Sequence, residues 1–216
     1  TDELASHCGL DRRYVKEWLG AMVTGQIVSY EPSSEVYHLP ESHAALLTRS
    51  SAPDNIAVFA QYISVLGQVE DRIVECFRNG GGVGYEHYPR FHQVMAEDSG
   101  QTVLAALDEH ILPLINDRLT DLERGIRVLD IGCGRGRALL HLAARYPNSR
   151  FTGYDLSQDA LTDARKEAMK KGLSNINFEQ HDLTGFRSKA VRDQFDLVTA
   201  FDAIHDQIDP QSVLDG

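Results

Sequence analysis

The chain has 216 residues, 42% of them hydrophobic, which suffices to bury a core in one or two domains. Its formal net charge of -11 argues against a general nucleic-acid binder or a membrane-surface protein, and no apolar run approaches the roughly 20 residues of a membrane-spanning helix. Cys8, Cys76 and Cys133 lack metal-like spacing and stand near no His-rich cluster, so they fit free thiols in a reduced, cytoplasmic setting.

Residues 1–48 read as a small domain. A short helix over 1–8 ends at Gly9, and a second over 11–24 ends at Gly25. Tyr14, Val15, Trp18, Leu19 and Met22 fall on one face of the second helix, which places Trp18 in the core. Strands over 27–30 and 36–39 alternate through Tyr30 and Tyr37 as a two-stranded ribbon. Helix, glycine turn, helix and ribbon together resemble a winged-helix domain. Such a domain can lay its second helix in the DNA major groove, and Arg12, Arg13 and Lys16 suit that role. Asp2, Glu3, Asp11, Glu17, Glu31, Glu35 and Glu41 oppose it, two of them at the wing tip where phosphate would lie. Nucleic acid is therefore not the expected partner.

Residues 49–120 read as a helical linker and lid. Over 55–79, Val58, Phe59, Tyr62, Val65, Leu66, Val69, Ile73 and Phe77 form an apolar stripe, as expected of a helix pair burying one face. The glycines at 80, 81, 82 and 84 have no strand before them and no Lys-Ser/Thr after them, so a phosphate loop is excluded. Tyr85, His87, Tyr88 and His92 then concentrate aromatic rings and imidazoles in a polar segment. A plain surface loop and a hinged lid over a small-molecule pocket both fit it. A further amphipathic helix is expected over 101–119, bent or interrupted at Pro113.

Residues 121–216 carry the chemistry. The apolar strand ending Val128-Leu129-Asp130-Ile131 runs into Gly132-Cys133-Gly134-Arg135-Gly136, and a helix-forming segment over 138–145 follows. Glycines are needed where backbone turns sharply or approaches a ligand without a Cβ. A dinucleotide fingerprint requires a third glycine at 137, where this chain has Arg137. The pattern is instead D-x-G-x-G-x-G. A second strand ends at Asp155, placed to accept hydrogen bonds from ribose hydroxyls, while Ser157 caps the helix over 159–171. A third strand over 175–183 runs into Asp182 and Leu183. A fourth, over 195–201, has the apolar run of a strand covered on both faces and leads to His205.

These four motifs, in this order, resemble the class I S-adenosylmethionine-dependent methyltransferases. The resemblance implies an α/β, Rossmann-like sheet behind the winged helix and linking helices, truncated here after its fourth strand, so that strand four becomes a bare edge. It implies S-adenosylmethionine as cofactor, with Asp130 orienting the amino group and Gly132, Cys133, Gly134 and Gly136 forming the wall against its methionine part. By the same resemblance Asp155 and Leu156 hold the ribose, Asp182 and Leu183 the adenine, and Phe201 lies at the cofactor; Cys133 is given no redox role. Tyr85, His87, Tyr88 and His92 would serve a small-molecule acceptor. His205 is the candidate base, or else a cofactor-proximal residue without a proton role. Winged-helix domains on similar small-molecule methyltransferases serve dimerisation, so a homodimer is expected. Weighed beside this reading are a S-adenosylmethionine-responsive regulator, a nicotinamide-dependent oxidoreductase and a catalytically silent paralogue kept for dimerisation.

Overall fold

The computed structural model describes residues 1–184, 186 and 194–216, and the chain divides into two compact units, Thr1–Ala57 and Val58–Gly216. In the first, α1 (Asp2–Cys8) closes on Gly9, whose φ of 64° is the left-handed turn that glycine tolerates. The side chain of Asp11 caps α2 (Arg12–Thr24) by accepting from Arg13 N–H. Strands β1 (Ser29–Glu31) and β2 (Val36–His38) pair antiparallel with Tyr30 opposite Tyr37, their ring centroids 4.6 Å apart. Helix α3 (Glu41–Leu47) follows, and His43 Nδ1 meets Ile27 O at 2.7 Å.

The core of this unit is narrow: Ala5, Val15 and Leu19, with Tyr37 against them. Trp18 is not in it. It stands 53% exposed and Tyr14 77%, because the helix turns about 100° per residue and only the line through Val15 and Leu19 points inward.

The second unit begins with α4 (Ala60–Gly67) and α5 (Glu70–Asn79). Of the expected stripe, Val58, Val65 and Val69 are buried. Phe59 and Leu66, each one residue further round the helix, are exposed, and Phe77 is 89% exposed. The helix expected to start at 101 in fact starts ten residues earlier, as α6 (Phe91–Gln101). It gives way to α7 (Val103–Ala106), a π turn over Leu107–Ile111 and a 3-10 turn over Leu112–Ile115, before α8 (Asn116–Arg124). Pro113 cannot donate the N–H that a continuous α-helix needs there.

Four parallel strands follow: β3 (Arg127–Ile131), β4 (Arg150–Asp155), β5 (Ile176–Gln180) and β6 (Leu197–Thr199), in the spatial order β5-β4-β3-β6. Helices α9 (Arg137–Arg145) and α10 (Gln158–Lys170) cross between them, and α11 (Pro210–Leu214) lies after β6. Leu139, Leu142, Phe151, Leu161 and Phe178 fill the main core on one sheet face; Leu129, Ile131, Tyr154, Leu183 and Val213 form a smaller cluster.

Strand β6 is not covered on both faces as its apolar run suggested. Val198 is 53% exposed, and β6 pairs only with β3 among the described residues. Its start is tied instead by a forked ion pair in which Arg127 Nε and Nη2 donate to Asp196 at 3.1 and 3.0 Å. The hydrogen bonds and charge of Arg127 hold the Asp196 carboxyl down at about 2. No helix among the described residues is long and apolar enough to cross a membrane.

Candidate functional site

Parallel pairing lines up the carboxyl ends of β3, β4 and β5, where loops of an open α/β sheet meet ligands. The glycine turn leaves β3 there. Gly132 N–H and Cys133 N–H both donate to Tyr154 O, at 2.8 and 3.0 Å, which pins the turn to β4. Gly132, Gly134 and Gly136 all take positive φ, yet their surroundings differ. A Cβ on Gly132 would strike the Ala203 methyl, and one on Gly136 the Phe178 ring. A Cβ on Gly134 would meet nothing within 4 Å. Its face is open, while its N–H donates to Asp155 Oδ2 at 2.7 Å.

Asp155 Oδ1 accepts from Ser157 N–H at 2.8 Å, and Ser157 itself caps α10 through Ala160 N–H. Each carboxylate oxygen thus carries one backbone donor and keeps a second acceptor site. Leu156 is exposed beside it. Asp130 is different. It is buried, Thr199 Oγ1 donates to its Oδ1 at 2.8 Å, and its carboxyl rises to about 7 because burial disfavours the charge. The Thr199 bond opposes that rise and the nearby Asp155 adds to it. Burial, with the charges of Asp130 and Asp155, likewise pushes the Cys133 thiol up, so it holds no thiolate near neutrality.

Asp182 closes a turn after β5 by accepting from Thr184 N–H at 2.9 Å, and Leu183 is buried in the smaller cluster. Phe201 packs against the main core. His205 is 65% exposed, with Nδ1 3.5 Å from Asp202 and Nε2 3.3 Å from Asp206.

The segment ahead of α6 splits in two. Tyr85 stacks on Phe91 at 5.2 Å and lies 5.3 Å from the His92 ring. Burial raises the Tyr85 phenol, helped by the charges of Asp206 and Asp155. Burial also lowers His92, against the pull of Asp155 and Asp159. Tyr85 and His92 therefore sit within electrostatic reach of the carboxylate at the end of β4. Tyr88 joins them through Phe91, ring centroids 5.7 Å apart. His87 turns elsewhere, lining a cavity of about 310 Å³ against α5 with Arg72, Cys76 and Glu86.

Residues 122–216 match the family model described as a methyltransferase domain, and residues 1–49 match an Rv2258c-like winged HTH domain. By these matches the chain is similar to a methyltransferase domain behind a winged helix-turn-helix domain. A probable (S)-tetrahydroprotoberberine N-methyltransferase 2 from Papaver bracteatum is 26% identical over 192 residues, covering 83% of this chain and 52% of that protein. Aklanonic acid methyltransferase DauC from Streptomyces is 39% identical over 87 residues, 38% of each chain. The chain thus spans about half the length of the first relative or less of the others. In fold, the structure of PigF with SAH matches 95% of this chain and 62% of that one, with a TM-score of 0.61 at 20% identity. An O-methyltransferase family protein from Burkholderia thailandensis matches 87% and 55%, with a TM-score of 0.56 at 18% identity.

Sequence reasoning missed three features of the second unit. One is Thr199, whose place opposite Asp130 depends on a pairing across 69 residues. Another is Tyr62, whose hydroxyl donates to Asp98 at 2.9 Å; burial, that bond and the charge of Asp202 raise it. The third is Arg137, the residue that breaks the dinucleotide pattern, whose guanidinium donates to Ala96 O and ties α9 to α6.

Proposed function

We propose that this protein transfers a methyl group from S-adenosylmethionine to a small-molecule acceptor. The observation that carries the reading is the open, Cβ-free face of Gly134 directly beside Asp155. A ligand can lie flat on that backbone while the free acceptor sites of Asp155 take its hydroxyls. The fit is good for an adenosyl group: a carboxylate for ribose at the end of β4 with the exposed Leu156 next to it, and Asp182 after β5 for adenine. Gly132, Cys133 and Gly136 shape the wall, with Asp130 behind it for the amino group. Small acceptors accord with the tetrahydroprotoberberine and aklanonic acid named for two relatives.

Bound S-adenosylmethionine supplies a methyl already activated on a sulfonium. The chain has then to align the acceptor with it and keep water out, and alignment alone can provide much of a displacement's acceleration. Tyr85, Tyr88 and His92 form the aromatic cover that orients the acceptor, and His87, turned toward α5, takes no part in it. His205, held between Asp202 and Asp206, takes the proton of an acceptor hydroxyl or ammonium. The winged-helix unit serves dimerisation, which accords with the exposed Tyr14 and Trp18 on α2 and with its acidic wing. The thiols belong in a reduced, cytoplasmic setting.

Isothermal titration with S-adenosylhomocysteine tests the core of this reading. The wild-type protein is expected to bind, and Asp155→Ala to bind at least tenfold more weakly, in line with the loss of a charge-assisted hydrogen bond worth about 1.5–3 kcal/mol. Equal affinities would remove the reading.

A further inference from the structure

In a parallel pair, residues in register present their side chains to the same sheet face. Asp130 has Gly153 of β4 in register on one side and Thr199 of β6 on the other. Gly153 offers nothing to a carboxylate; a Cβ there would come within 2.7 Å of Cys133 Sγ, so the space is taken by the glycine turn. Thr199 is thus the side chain that reaches Asp130 from a neighbouring strand, at 2.8 Å. Its hydroxyl has one proton and two acceptors in range, Asp130 Oδ1 at 2.8 Å and Leu129 O at 3.3 Å. The shorter contact goes to the carboxylate. When Asp130 is protonated, the same hydroxyl can turn its proton to Leu129 O and accept from the acid.

We propose that Thr199 is a positioning residue for cofactor binding, its hydroxyl fixing the Asp130 carboxylate across the β3–β6 seam at the base of the glycine turn. The inference rests on the cofactor reading above. An acid buried this deeply, with one neutral donor, stands at the edge of losing its charge. Asp155 on β4 pushes it further toward the neutral form, and the Cys133 thiol in the turn, itself neutral, offers no counter-charge. Among the described residues, the Thr199 bond is the one contact that favours the carboxylate. A ligand ammonium placed over the turn calls for that negative charge, so the hydroxyl sets how much of the protein is ready to bind at neutral pH.

The test is the pH dependence of S-adenosylhomocysteine affinity in the full chain, measured by titration calorimetry from pH 5.5 to 9. In the wild-type protein, affinity is expected to rise with pH through a midpoint near the Asp130 value of about 7. Thr199→Val keeps the shape and removes the donor, so its midpoint is expected about one pH unit higher, with affinity at pH 7 about fivefold weaker and recovering by pH 9. Thr199→Ser is expected to restore the wild-type curve, and Thr199→Ala to follow Val if the Val variant does not fold. A purely structural Thr199 would lower the melting temperature and leave the midpoint in place, which overturns the inference. Wild-type protein that binds at no pH overturns the cofactor reading instead.

Discussion

Gly134 and Gly136 share a motif and a backbone conformation, with φ of 55° and 66°, yet replacing them should have opposite consequences. An L-residue in the left-handed region costs about 1–2 kcal/mol, of which about 0.4–1 kcal/mol is returned because alanine stiffens the unfolded chain. For Gly134→Ala nothing else is lost, since the new methyl meets no protein atom within 4 Å. The net cost is about 1 kcal/mol, or roughly 2–4 °C in melting temperature for a protein of this size. For Gly136→Ala the methyl collides with the Phe178 ring and touches the Ala164 methyl at 3.4 Å, both in the main core. Overpacking adds about 1–3 kcal/mol, so a fall of roughly 5–15 °C is expected. Ligand response should invert this order. S-adenosylhomocysteine at a hundred times its Kd stabilises by about 2.7 kcal/mol, or roughly 5–10 °C. Gly136→Ala, if folded, leaves the open face alone and should keep most of that shift. Gly134→Ala puts its methyl where the ligand would lie and should lose nearly all of it. Thermal melts with and without S-adenosylhomocysteine read both effects. A Gly134→Ala protein that keeps the whole ligand shift refutes the argument that this face meets the cofactor.

Asp130 makes stability depend on pH in an unusual direction. Its folded value, about 7, lies above the unfolded one near 3.8, so its contribution to stability is whole below pH 4 and is lost progressively as pH rises to 7. Asp130→Asn removes that loss: the variant should gain up to about 4 kcal/mol over wild type at pH 8, with the gain shrinking as melts are repeated toward pH 5; a constant difference across pH contradicts the burial argument. Trp18 is the single tryptophan of the chain and stands half-exposed on α2, so its emission reports on the expected dimer surface. Emission should shift to the blue as protein concentration rises, in step with the mass seen by sedimentation; a dimer that forms with no spectral change places the interface elsewhere. His205→Gln should lower turnover of a hydroxyl or amine acceptor by roughly 10²-fold while leaving S-adenosylhomocysteine affinity unchanged. An unaltered turnover removes the base role.

The elements that local chemistry dictates were legible in the sequence. Gly9 and Asp11 delimit the first two helices, and Ser157 caps α10, because each acts through its own backbone neighbourhood. The strand-turn-helix of β3 and α9 was equally plain. Tertiary contacts were not legible. Trp18 and Phe77 satisfy helical periodicity as well as Val15 and Val65 do, but periodicity fixes only relative direction, and which side meets a core depends on what else folds there. The apolar run of β6 suggested cover on both faces, whereas Val198 lies open and Arg127 and Asp196 fasten the strand at its start. Leu183, set against the adenine ring by the resemblance, is packed with Leu129, Ile131 and Tyr154. The effect of the Asp155 charge on Tyr85 and His92 spans more than sixty residues of chain, so no local signal could have announced it.

The site itself follows from an alternation along two strands that the sequence does contain. Alternation along a strand puts Val128 and Asp130 of β3 on one face, and Phe151, Gly153 and Asp155 of β4 on the same face once the register is Asp130 to Gly153. Below the turn that face is core, through Val128 and Phe151; at the carboxyl end it becomes two acids separated by a glycine. Apolar packing therefore drives the strands together and forces the like charges close. The structure meets that cost in two different ways: Asp155 receives two backbone N–H donors, whereas Asp130 receives a single hydroxyl and remains close to protonation. Burial thus pushes one carboxyl of the pair toward its neutral form, while the other, at the end of the neighbouring strand, keeps a backbone donor on each oxygen.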